Sequence, residues 1–168
     1  TTPTAGDLTA VGFKAGYAIT TGSYNTLIGS QAGVALTSAI GNVAVGYQAQ
    51  NANTTFWYST AIGYQALFSN NATDGLTAVG YQAGYSINAA NANFTALGYF
   101  AGYACTAVDC TYIGYLAGVF LTSGIQNTCV GSQAGRGAST FTAGNLTALG
   151  FKAGFAITTG GANTLIGS

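Results

Sequence analysis

Histidine, glutamate and methionine are absent from this 168-residue chain, and proline and tryptophan occur once each. Without histidine or glutamate, acid–base catalysis near neutral pH has only three aspartates to draw on, Asp7, Asp74 and Asp109. All three fall five or six positions before a recurring glycine, where an Asx-type turn explains them, and no Ser, Thr or Cys nucleophile has an evident base. The chain has no CxxC pair and no Asp-rich nonapeptide, so neither a zinc nor a calcium site is expected. These absences lead to the expectation of a protein without cofactor, metal or enzymatic activity.

Charge is nearly missing too. Lys14, Arg136 and Lys152 balance the three aspartates, which leaves no field to steer nucleic acid or an anionic membrane, and neither partner is expected. No run approaches the roughly 18 consecutive apolar residues of a membrane span, so insertion into a membrane is not expected either. The first residues, Thr1, Thr2, Pro3 and Thr4, resemble neither an initiator nor a signal peptide, and a processed product or a segment of a longer chain is expected.

Glycine is abundant and periodic. Gly12, Gly29, Gly46, Gly63, Gly80, Gly98, Gly114, Gly131, Gly150 and Gly167 are spaced by 17 residues with slips of one or two. A repeat of this length is one supersecondary unit that cannot bury its own apolar face and needs neighbours above and below. Glycine density and β-branched or aromatic residues at the recurring positions oppose helix. The expected fold is all-β: one parallel β-solenoid, or β-roll, over residues 1–168, with repeats from about residue 8. About ten coils, each with one strand of four to six residues, would give on the order of 45 Å of ladder at the usual strand spacing.

Aligned on the glycine, the position before it is aliphatic in every copy, from Val11, Ile28 and Val45 to Ile166, and is expected to form the core. Three positions after the glycine stands Ala in all nine complete copies, which implies a wall too close for a larger side chain. Four positions after stands Gly in seven of nine, where a turn calls for positive φ. The remaining spacer, rich in turn formers, is expected to be the outer arc. Three positions before the glycine, nine of ten residues are Thr, with Val43 the exception. Parity sets this column beside the aliphatic one, so an inward or interfacial Thr ladder is expected rather than a flat ice-binding array.

One position after the glycine, Tyr47, Tyr64, Tyr81, Tyr99 and Tyr115 line up with Phe13 and Phe151. They read either as a self-stacked ladder or as a platform for sugar rings. Cys105 and Cys110 flank the short turn 106–109, close enough for a disulfide, while Cys129 reads as a small buried hydrophobe. Sequons at Asn53, Asn71, Asn93 and Asn145 are candidate N-glycosylation sites.

The units Thr-Ala-Ile-Gly-Tyr-Gln-Ala (60–66) and Thr-Ala-Val-Gly-Tyr-Gln-Ala (77–83), with Asn- and Thr-rich spacers, resemble the repeats of bacterial and phage tail-fibre-like proteins. More distantly they resemble the YadA-like β-roll heads of trimeric autotransporter adhesins. The resemblance implies a left-handed roll, commonly trimeric, on a cell or virion surface. The leading expectation is therefore a structural, self-assembling extracellular fibre. An adhesin or receptor- and glycan-binding region comes second, and an ice-binding Thr array third.

Residues 8–30 and 146–168 agree at 19 of 23 positions, offset by 138 residues. Either an excerpt of a chain with a 138-residue super-repeat or a protomer that pairs end to end would explain this return of phase. Both lead to the expectation of axial continuation into a filament, with lateral association of chains, such as a trimer, beside it.

Overall fold

In a computed structural model of the chain, residues 6–70, 74–87, 93–106, 108–121, 124–137 and 144–168 are described. Among them there is no helix, and the strands are β1 (Thr9–Val11), β2 (Thr26–Ile28), β3 (Val43–Val45), β4 (Thr60–Ile62), β5 (Ser69–Asn70) and β6 (Thr77–Val79), then β7 (Ser86–Ile87), β8 (Phe94–Leu97), β9 (Ala104–Cys105), β10 (Cys110–Ile113), β11 (Thr128–Val130), β12 (Thr147–Leu149) and β13 (Thr164–Ile166). Ten of them make one parallel sheet in chain order, and β5, β7 and β9 make a second. The molecule is a β-solenoid. Its main ladder has ten rungs joined by nine connections, slightly fewer full turns than the ten expected, and its strands run three or four residues rather than four to six. The left hand of the winding rests on the resemblance alone.

The register keeps identical columns in line. Thr60 pairs with Thr77 and Ala61 with Ala78, and a length slip elsewhere in the coil does not disturb the strand, as Thr77 still pairs with Thr95. Backbone bonds carry the ladder round the turn that follows. The amide of Gly84 donates to Ala101 O at 2.9 Å, Gly102 to Ala117 O at 2.9 Å and Gly118 to Ala134 O at 2.9 Å, so one coil's turn is bonded to the next. The expected roles of the small residues hold: Ala32, Ala66, Ala83 and Ala134 are fully buried, and Gly33, Gly84, Gly102 and Gly135 adopt left-handed φ near 57°.

The inside and outside of the strand are the reverse of the expected order. The buried residue is the one in the middle of each rung, as in Ala44, Ala61, Ala78, Ala96 and Ala148, each at 0% exposure. The aliphatic residue that follows faces out, Ile28 at 39% and Leu97 at 45% exposed. The cause is the thinness of the coil. Both the inward strand column and the column after the turn are mostly Ala, which leaves little depth for a branched side chain unless a neighbouring glycine makes room. Larger inward residues occur only where a glycine makes room: a Cβ on Gly118 would run into the Tyr112 ring, and one on Gly33 into Leu27 and Leu36. The converse also holds. Where the turn glycine is replaced by buried Gln50 or Leu67, the inward strand residues are Ala44 and Ala61.

Candidate functional site

The outward face of the main sheet carries three rows, built by one rule of parity. Thr side chains such as Thr26, Thr60, Thr95 and Thr128 and aliphatic ones such as Ile28, Ile62 and Leu97 alternate with the buried Ala, and all are half-buried or exposed. The sharing of one side by Thr and aliphatic residues is as expected, but that side faces outward. Beyond the recurring glycine the third row begins. Tyr47, Tyr64, Tyr81, Tyr99 and Tyr115 stack face to face with centroids 5.0–5.5 Å apart and interplanar angles of 6–21°. The rings thus cover one another, and what they show to the outside is mainly edge. A sugar needs a ring face, which the stack leaves only at its ends, where Tyr47 and Tyr115 adjoin Ser30 and Ser132 in place of a ring. The self-stacked alternative is the one that the geometry adopts.

Next to the Tyr stack runs an amide ladder that the sequence reading missed. Gln48 Nε2 donates to Gln31 Oε1 at 2.6 Å, Gln65 Nε2 to Gln48 Oε1 at 2.7 Å and Gln82 Nε2 to Gln65 Oε1 at 2.6 Å. These glutamines hold φ between 49° and 59°, so the tight turn after each strand is made by a left-handed residue whose side chain is fixed by the coil below. Round that turn lies a second aromatic stack. Phe68, Tyr85 and Tyr103 follow at 5.0 Å spacing, and Phe120 meets Tyr103 edge-on at 6.4 Å.

Inside the coil, the position just before each strand supplies a third ladder. Asn25 Oδ1 accepts from the Asn42 backbone N–H at 3.0 Å, Asn42 Oδ1 from that of Ser59 at 3.0 Å, and Ser59 Oγ from that of Leu76 at 3.2 Å. Buried side chains here stand in for backbone acceptors. Other interior polar atoms lack a protein partner: Gln50 Oε1, Asn53 Oδ1, Asn127 Nδ2 and both polar atoms of Asn70. Asn70 shares its column with Ile87 and lies 4% exposed. Asn70→Ile is therefore expected to stabilise the fold by about 2 kcal/mol, because it removes an unsatisfied buried amide and adds apolar burial. Thermal or urea unfolding would register this as a raised midpoint, and a lowered one would show that the amide is satisfied.

Asn53 is turned inward, 1% exposed, with Nδ2 donating to Leu67 O at 3.3 Å. This corrects its reading as a glycosylation site, since a glycan on that nitrogen would have to open the coil. Asn93, whose Nδ2 donates to Asp109 Oδ1 at 2.8 Å, and Asn145 are exposed, and Asn71 lies outside the described residues.

The structure brings Cys105 and Cys110 together as expected, their side chains hydrogen-bonded to each other, without an S–S bond between them. Cys105, Cys110 and Cys129 are all buried. Further hydrogen bonds hold the pair in place, Cys105 Sγ lying 3.5 Å from Tyr112 Oη and Cys110 Sγ donating to Val108 O at 3.2 Å. Burial pushes Cys129 up to about 12, in keeping with its reading as a small hydrophobe, and raises Tyr112 well above the phenol range. Cys110 is held down at about 7, first by its hydrogen bond with Cys105 and then by Tyr112, against the opposing effect of burial.

The folded value lies below the ordinary thiol value of 9, so ionisation favours the folded state; this contribution is complete above pH 9 and lost as pH falls through about 7. In reducing buffer the melting temperature is expected to rise between pH 6 and 9, and Cys110→Ala to flatten the rise. An unchanged slope in the variant would assign the effect elsewhere.

Among the described residues no group of three His, Cys, Asp or Glu side chains could hold a metal ion, and no helix is long and apolar enough to cross a membrane. No protein-family model, curated protein or solved structure matches the chain.

Proposed function

We propose that the protein is a structural fibre element at a cell or virion surface, whose coils continue axially and whose Thr–aliphatic–Tyr face packs against another copy of the chain. The observation that carries this reading is the outward aliphatic row. Ten successive rungs each expose part of a Val, Ile or Leu, a continuous apolar stripe of a kind that monomeric soluble proteins rarely leave uncovered. Because register, charge and side chains repeat every coil, a second copy aligned with the axis meets the same pattern at every level, and contact grows with length. Axial continuation draws on the agreement of residues 8–30 with 146–168, which makes the coils at those two levels interchangeable.

Negative-stain electron microscopy of the purified protein tests the reading: extended particles wider than one coil are expected, and isolated short rods at all concentrations would contradict it. A second reading, an ice-binding surface, is favoured by one observation. The Thr column, half-buried to exposed and interrupted at Val43, lies on the outward side beside the aliphatic one rather than inward. Thermal hysteresis in the dispersed protein that vanishes with Thr60→Lys and Thr77→Lys would move the assignment there.

A further inference from the structure

Round the turn from that face, the repeat is broken at one level. The Gln ladder gives way to Phe100 and Leu116, and Phe120 occupies a column that elsewhere holds Ala, Ser or Gly. Stacking does not require these changes, since the same backbone turn is made by Gln at Gln65 and Gln82. Phe120 adopts φ 63°, as Ala156 does at the equivalent position, so it is the side chain that departs from the repeat. The departures surround a cleft of about 310 Å³ lined by Phe100, Tyr103, Leu116, Val119, Phe120 and Arg136.

Its walls are set at right angles. Phe100 meets Tyr103 at 4.9 Å and 81°, and Phe120 meets Tyr103 at 83°. Val119 at the base is buried, and Phe120 stays 38% exposed. One of only three cations in the chain, Arg136, stands at the edge, its guanidinium 5.7 Å from the Phe155 ring, and no carboxylate lines the cleft.

We propose that this cleft is a binding site for a small aromatic carboxylate, its ring among Phe100, Leu116 and Phe120 and its carboxylate on Arg136. Perpendicular aromatic walls take a flat ring in both stacked and edge-on contact. The guanidinium fork matches a carboxylate with two parallel hydrogen bonds. A single cation in a cleft otherwise apolar suits a monoanion, whereas a phosphate dianion would be left with unpaired charge. The size lies at the lower end of ligand pockets, which fits a one- or two-ring acid rather than an oligosaccharide. The site occurs at one level of the stack and does not depend on the fibre reading.

The test is an NMR titration of the whole chain with 2-naphthoate, set beside the neutral 2-acetylnaphthalene. Saturable binding of the acid is expected, with shifts centred on Phe100, Tyr103 and Phe120 and an affinity at least ten-fold above that of the neutral compound. Arg136→Gln should lower the acid's affinity about ten-fold and leave the neutral compound's unchanged, while Phe120→Ala should weaken both. Tyr24→Ala, on a distant coil, should weaken neither. Equal binding of acid and neutral compound, shifts elsewhere on the stack, or an acid affinity untouched by Arg136→Gln would each overturn the proposal. Should Phe120→Ala fail to fold, the Arg136→Gln comparison decides alone.

Discussion

Gly63→Ala is expected to destabilise the fold by roughly 4 kcal/mol, about 10 °C or more in melting temperature for a chain of this size. The glycine holds φ 134°, a region closed to residues with a side chain, and a Cβ there would run into the carbonyl group of Gly80 on the next coil. The same collision would follow at Gly46 and Gly114, against Gly63 and Gly131, which is why the column tolerates no other residue. Gly75→Ala is the control: its φ is 78°, but nothing lies within 4 Å of the added carbon, so a cost of about 1 kcal/mol is expected. Equal losses at the two positions would show that conformation alone, and not the approach of neighbouring coils, makes glycine necessary.

A neighbouring pair of substitutions separates the two faces of one strand. Ala61→Asp is expected to prevent folding or to cost about 4 kcal/mol or more, since it buries a carboxylate without a partner in a coil too thin to admit water. Ile62→Asp, one residue on, is expected to cost only about 1 kcal/mol in dilute protein, where association contributes nothing. Their exposures, 0% and 39%, carry the contrast. Circular dichroism melts of the two variants at low concentration would show it, and a greater loss at Ile62 would restore the aliphatic column to the core.

That column is where the sequence misleads, and the reason is physical. Hydrophobicity points to Ile62 and Val79 as the buried residues, but the coil is narrow and volume outweighs hydrophobicity. The alanine wall of Ala66 and Ala83 already signals the narrowness, and the alternating Ala61 and Ala78 complete it. Repeat length, parallel pairing and the places of positive-φ glycine are legible because each is enforced at every level by the coils above and below. The ladders of Asn25–Asn42–Ser59 and of Gln48–Gln65–Gln82 are hard to foresee for opposite reasons. The first column changes residue type along the chain, to Leu76, Phe94 and Cys110, so no pattern marks it. The second is regular but sits in a turn, where Gln carries no strong preference and only the geometry brings one amide over the next. The cleft at Phe100 and Phe120 is legible only as a break in these columns, which becomes visible once the columns are known.

Sedimentation equilibrium of the parent protein beside the triple variant Ile62→Asp, Val79→Asp and Ile113→Asp tests the outward face most directly. Three carboxylates on one stripe repel any apolar partner surface while leaving the alanine interior untouched. The parent is expected to sediment at a multiple of its 16.7 kDa chain mass and the variant, still folded by circular dichroism, at 16.7 kDa. A parent that remains at the single-chain mass across the accessible concentration range, or a folded variant that assembles like the parent, would contradict the assignment of this face to self-association.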